Sequence, residues 1–233
     1  MNRSPYVRSL WPCVATCVAL LTAGCGGLLP KPAPQPSFYS LDGAGIGSRT
    51  AARDAAVVAD TAPTLVINPP RAAAGFDSQH IMYVRVAHKL EYFAHSEWID
   101  TPARMLAPLL VAAIENGGAF RAVVTTPSAA SGDIRLDTEI LRLQHNFGPV
   151  PSEVRFTLRV YLVDNATRRV LAWREFDETV VSASEDPVGG VTAANVAVLA
   201  VVKRLARFCA DTAGKWSPAN PAVAPLQGQS IAR

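Results

Sequence analysis

Val154-Arg155-Phe156-Thr157-Leu158-Arg159-Val160-Tyr161-Leu162-Val163 alternates apolar and polar side chains almost without a break. A strand sends successive side chains to opposite faces. Val154, Phe156, Leu158, Val160 and Leu162 therefore share one face, and Arg155, Thr157, Arg159 and Tyr161 share the other. Such a strand belongs to a sheet with one covered face and one wet face, the usual condition of antiparallel sheets. Strand patterns flank it on both sides, at residues 134–145 and 170–181, and Asp164-Asn165 supplies turn chemistry into the second. In the first, the apolar phase changes between Ile140 and Leu141, which predicts a bulge or a second buried surface there.

Helix signals lie on either side of this trio. Asp100-Thr101-Pro102 joins a capping residue to a proline at the first helical position, where a missing N–H costs nothing. Met105, Leu106, Leu109, Leu110 and Ala113 keep one face apolar, and Gly117-Gly118 ends the run. Pro108 inside it predicts a kink, because one hydrogen bond is lost. A second helix starts at Asp186-Pro187. Its Ala194, Val198, Val201, Leu205 and Phe208 form a stripe for packing on a sheet, and Lys203, Arg204 and Arg207 suit its C-terminal end.

Further upstream, Leu65-Val66-Ile67 reads as a strand closed by Pro69 and Pro70. Residues 80–86 and 90–94 read as a hairpin turning near 87–89, and Phe38-Tyr39-Ser40-Leu41 as a short edge strand. Residues 42–63, rich in Gly and Ala, predict a loop with a helical turn around 51–58. Gly43, Gly45 and Gly47 follow no strong strand and precede no capped helix, so they read as a flexible joint and not as a phosphate loop. The order strand, helix, three strands, helix predicts an α+β fold: a compact domain with a largely antiparallel sheet and two packed helices.

Residues 1–24 read as an export signal. Arg3 and Arg8 make a positive start, and residues 10–23 are mostly apolar and end in small residues. That run is shorter than the ~20 residues a membrane-spanning helix needs. It closes on Leu21-Thr22-Ala23-Gly24-Cys25, which resembles a lipobox with Thr22 where Leu is commonest. Cleavage would fall just before Cys25, whose thiol would carry a diacylglyceryl group. Each buried methylene contributes about 0.8 kcal/mol, and two or more chains anchor stably where one does not. Gly26, in place of Asp, points to the periplasmic face of the outer membrane. Residues 25–37 are then the lipidated cysteine and a tether. Pro30, Pro32, Pro34 and Pro36 favour an extended chain reaching about 35–40 Å. Residues 38–210 make the domain, and 211–233, rich in Pro, Ala, Gln and Ser, a disordered tail.

The chain has 22 Lys and Arg, of which Arg3 and Arg8 leave with the signal, so 20 bases face 19 acids. That balance gives no field for gathering nucleic acid, which is excluded as a partner. Cys13 and Cys17 are also lost. Cys209 is left without a thiol to pair with, and reads as a small buried hydrophobe. His80, His88, His95 and His145 show no metal-ligand spacing, and no serine sits in a G-x-S-x-G elbow. Arg135, Asp137 and Glu139 share a strand face, as do Glu175 and Asp177, in the manner of charge pairing on a solvated surface. Trp98 and Trp173 read as core or partial core. No catalytic set, metal site or cofactor site assembles, and Cys25 is the single candidate site residue, for lipidation.

The lipobox ending in Cys25, Phe38-Tyr39-Ser40-Leu41 after the tether, Leu65-Val66-Ile67 with its prolines, and Trp98 ahead of Pro102 come in an order that resembles the ABC-type transport auxiliary lipoproteins, the PqiC-type family. The long strand pair and the final helix to Phe208 complete the likeness over residues 38–210, and residues 42–62 stand out as an insertion. The resemblance implies a non-catalytic lipoprotein at the outer membrane. Its partner would be an MCE-domain protein that spans the periplasm and is powered by an inner-membrane ATPase and permease. Other copies of the chain are a further expected partner. Two other classes stay open: a structural lipoprotein of another envelope secretion or assembly complex, and a periplasmic hydrolase.

Overall fold

The computed structural model describes residues 35–43, 46, 61–128 and 130–218. The signal, Cys25, most of the tether, the helical turn expected at 51–58 and most of the expected tail lie outside the described residues. The elements in chain order are β1 (Ser37–Tyr39), β2 (Thr64–Ile67), β3 (Arg71–Ala72), β4 (His80–Val84) and β5 (Leu90–Trp98), then α1 (Pro102–Asn116) and β6 (Ala122–Thr125). The three long strands β7 (Ile134–Asn146), β8 (Glu153–Asp164) and β9 (Val170–Val181) follow, and α2 (Pro187–Ala213) closes the series.

β7 is the strand to which the others are fitted. One edge pairs antiparallel with β8 along its whole length, from Ile134 opposite Asp164 to Asn146 opposite Glu153. β9 continues that meander. The other edge holds three short strands in tandem, all parallel to it: β2 at Ile134–Leu136, β3 at Glu139 and Ile140, and β4 at His145 and Asn146. Pro69 and Pro70 explain the break after β2, since neither can donate to a ladder. β6 lies outside β2, β5 outside β4, and β1 outside β5. The long ladders are antiparallel as expected, but the short strands pair largely in parallel, so the nine-stranded sheet is mixed.

The bulge foreseen at Ile140–Leu141 is present, with the register shifting between Ile140 and Arg142. It lets Ile140 and Leu143 face the same core although they are three residues apart in a strand. Both helices cover that face. α2 lies on β8 and β9, and α1 packs beside it over β3 and β6. Leu106, Leu110 and Ile114 of α1, Val201 and Leu205 of α2, and Phe156, Leu158 and Leu162 of β8 share one core, all essentially sealed from water. Burying a leucine this completely contributes about 1.5–3 kcal/mol. By length and composition α2 could cross a membrane; here its apolar stripe is spent on the sheet.

The helix ends follow their sequences unevenly. Asp186 caps α2 by accepting from Gly189 N at 2.8 Å. Thr101 sits at the N-cap of α1 without a side-chain bond, and Asp100 instead accepts from Thr101 N at 2.8 Å. α1 runs through Pro108 to Asn116. Pro108 is exposed and has no N–H to give the carbonyl of Arg104. α2 continues to Ala213, past Asp211 where the tail was expected to start, and Trp216 Nε1 donates to Asp164 Oδ2 at 2.8 Å.

Candidate functional site

The groups capable of chemistry are placed for structure. His145 is 2% exposed, and its Nε2 lies 2.8 Å from Ser152 Oγ. Ser152 N donates to Glu185 Oε1 at 2.8 Å, so serine, histidine and carboxylate do come together. Ser152 is completely buried, however, and the space beside the imidazole is only about 10 Å³, room for one water at most. No substrate reaches that hydroxyl. The set ties the end of β7, the turn before β8 and the segment leading into α2 together. Cys209 is buried, and burial pushes its thiol up to about 12, so no thiolate forms at neutral pH. Among the described residues no group of three or more metal-type ligands occurs.

Two surfaces have the geometry for binding. The first is the face of β7, β8 and β9 turned away from the helices. Arg155 pairs with Asp177 at 2.7 Å, Arg159 with Glu175 at 3.2 Å and Glu139 at 3.7 Å, and Arg135 with Asp137 at 3.0 Å. The Arg155 guanidinium and the Thr157 hydroxyl hold the Asp177 carboxyl below its ordinary range. This is the solvated charge ladder the strand phases predicted. Tyr161 and Trp173 stack beside it at 6.3 Å, and Trp173 is 62% exposed. Trp98 is core as expected, at 2% exposure; Trp173 is not. Trp173 shares the solvated strand face of Glu175 and Asp177, which is why it departs from the core reading.

The second surface lies along β1. Among the described residues β1 is paired on one side, in parallel with β5 from Ser37 opposite Ser96 to Tyr39 opposite Trp98. Asn195 of α2 clamps the segment that follows, accepting from Asp42 N at 2.8 Å and donating to Ser40 O at 3.1 Å. Between strand and helix runs an open groove of about 490 Å³, lined by Phe38, Tyr39 and Ser40 on one side and Thr192, Val196 and Leu199 on the other. Phe38 and Val196 are more than half exposed. The edge strand was legible in the sequence. Its clamp was not, because nothing local marks Asn195 as a partner for a segment over 150 residues away. Cys25, the predicted lipid site, lies outside the described residues.

A sheet with two helices on one face, an exposed edge and open face, and sealed reactive groups offers surfaces suited to binding. A family model described as ABC-type transport auxiliary lipoprotein component matches residues 43–206, and the chain belongs to that family. As a member it is an auxiliary, non-catalytic component associated with ABC-type transport. No curated protein matches it. Among solved structures, a protein from Xanthomonas campestris aligns with a TM-score of 0.62 and 22% identity, over 68% of this chain and 90% of its own. A second, described as an uncharacterized protein, aligns with a TM-score of 0.58 and 11% identity, over 76% of this chain and 99% of its own. At these identities both likenesses speak for the fold.

Proposed function

We propose that the chain is anchored by lipid on Cys25 at the periplasmic face of the outer membrane. There it docks or steadies the far end of an MCE-domain protein that spans the periplasm in an ABC-type lipid transport system. The family match over residues 43–206 carries this reading, together with the lipobox ending at Cys25. The side of β1 that no described strand covers supports it, since backbone groups there can accept a strand from a partner or from another copy of the chain. The charge ladder supplies a second, polar contact.

Two experiments test the two halves. Metabolic lipid labelling should mark the wild-type chain and leave Cys25→Ser unlabelled; a wild-type chain that is soluble and unlabelled ends the anchor claim. Photo-crosslinkers at Phe38, Arg155 and Arg159 in whole cells should capture an MCE-domain protein. Capture of a secretin or another assembly component would point to the alternative envelope role. A chain that crosslinks to nothing and hydrolyses lipid esters would overturn the non-catalytic reading.

A further inference from the structure

β1 runs parallel to β5, and β5 starts at the turn of residues 85–89. The end of β1 that receives the chain from Cys25 therefore faces that turn. The turn of residues 147–152 projects from the same end of the sheet, because β4 meets the end of β7 at Tyr83 opposite His145 and Val84 opposite Asn146. The two turns are joined into one surface. Phe147 N donates to Val84 O at 2.8 Å, and the Arg85 guanidinium lies over the Phe147 ring at 4.5 Å. Phe147 in turn packs on Phe93 and Tyr83. At the tips stand apolar side chains with no cover: Val150 is 96% exposed between two prolines, Val86 is 60% exposed and Leu90 40%.

We propose that this end of the domain rests on the phospholipid surface that carries the anchor, with Val86 and Val150 entering its interfacial layer. The inference rests on the reading of Cys25 as the lipid site. Single protruding valines on braced turns suit a layer that yields around them better than a rigid protein surface. Residues 26–36 separate Cys25 from β1, a length that lets the acyl chains and the turns reach one bilayer together. Arg85 and Lys89 stand against Glu91, Glu185 and Asp186, so no excess of positive charge gathers there. Lys89 pairs with Glu91 at 2.8 Å, and Glu185 and Asp186 accept from Ser152 N and Gly189 N. The contact is thus apolar in character and fits a bilayer rich in zwitterionic phosphatidylethanolamine. It would act as a second attachment point and fix how the β1 groove is presented.

The test uses the full, lipidated chain bound to vesicles of phosphatidylethanolamine with a minor share of phosphatidylglycerol. An environment-sensitive fluorophore is placed at Val86→Cys, Val150→Cys or, at the opposite end of the sheet, Ala166→Cys; Cys209 is too buried to react. Flotation with the vesicles reads the anchor, and emission reads the contact. The expected result is flotation of all three, with a blue shift and quenching by lipid-borne quencher at positions 86 and 150 and neither at 166. Flotation with all three labels equally wet overturns the contact while leaving the anchor reading intact. Failure to float overturns both. A blue shift that appears only when an MCE-domain protein is added also overturns the lipid assignment.

Discussion

At the residue scale, His145 and Gly190 decide how the first turn of α2 is seated. Burial pushes the His145 pKa below its ordinary 6.5, against the pull of the Glu185 and Asp186 carboxylates. A group depressed in this way binds its proton more tightly in the unfolded chain. Its contribution is fully present above the unfolded value and is lost as pH falls through the folded one. Denaturation midpoints should therefore begin to drop on the acid side of 6.5, before Asp164, Asp177, Glu185 and Asp186, held below their ordinary 3.8 and 4.5, start to protonate. His145→Gln should start lower and flatten that upper limb; equal slopes in both chains would exclude His145 as the cause. Gly190 is needed for space. A Cβ there would stand 2.6 Å from His145 Nδ1 and 3.2 Å from Cε1. Gly190→Ala should cost about 1–3 kcal/mol, read as a lower Tm, because the ring is packed on all sides. An unchanged Tm would show that the ring can move aside.

At the scale of elements, β9 ends the sheet and needs a guard. Among the described residues no strand lies beyond it, and it is twelve residues long with exposed Val170, Trp173 and Val181. Such an edge invites pairing with another chain. Arg204, from α2, donates to the main-chain carbonyl of Asp177 at 3.1 Å and to Glu178 Oε2 at 2.7 Å, so a side chain occupies a backbone acceptor of that edge. Arg204→Ala should change folding stability by less than about 1 kcal/mol, as exposed ion pairs do. It should nevertheless raise self-association measured by light scattering; a monomer unchanged at high concentration would refute the guard. The long strands, the bulge and both helices were legible because each has an internal period or a cap of its own. β3 and β6 were not. Arg71-Ala72 is too short to carry a period, and Ala122-Val123-Val124-Thr125 has no alternation, so each exists only through its neighbour in the sheet. Parallel pairing was equally hidden, because side-chain alternation says which face a residue takes and not which way the next strand runs.

For the whole molecule, the domain closes later than composition suggests. Asp211 opens a polar stretch, yet α2 continues to Ala213, which is buried, and Trp216 returns to bond Asp164. That indole and the Thr167 contacts hold the Asp164 carboxyl below its ordinary range. A chain ending at Ala210 should be less stable than one ending at Pro218 by at least about 1.5 kcal/mol, the scale of a hydrogen bond to a charged group. Matching urea midpoints would place Trp216 outside the cooperative unit. The position of β1 has a mechanical consequence. A load pulling on the N-terminus enters the domain through β1, and is borne by its ladder to β5 and by the two hydrogen bonds of Asn195. The pull lies along the strand, so those bonds are sheared together and not peeled one at a time. Should they yield, β1 slides out while the ladders of β7, β8 and β9 stay loaded by nothing, and the domain lengthens its leash without unfolding.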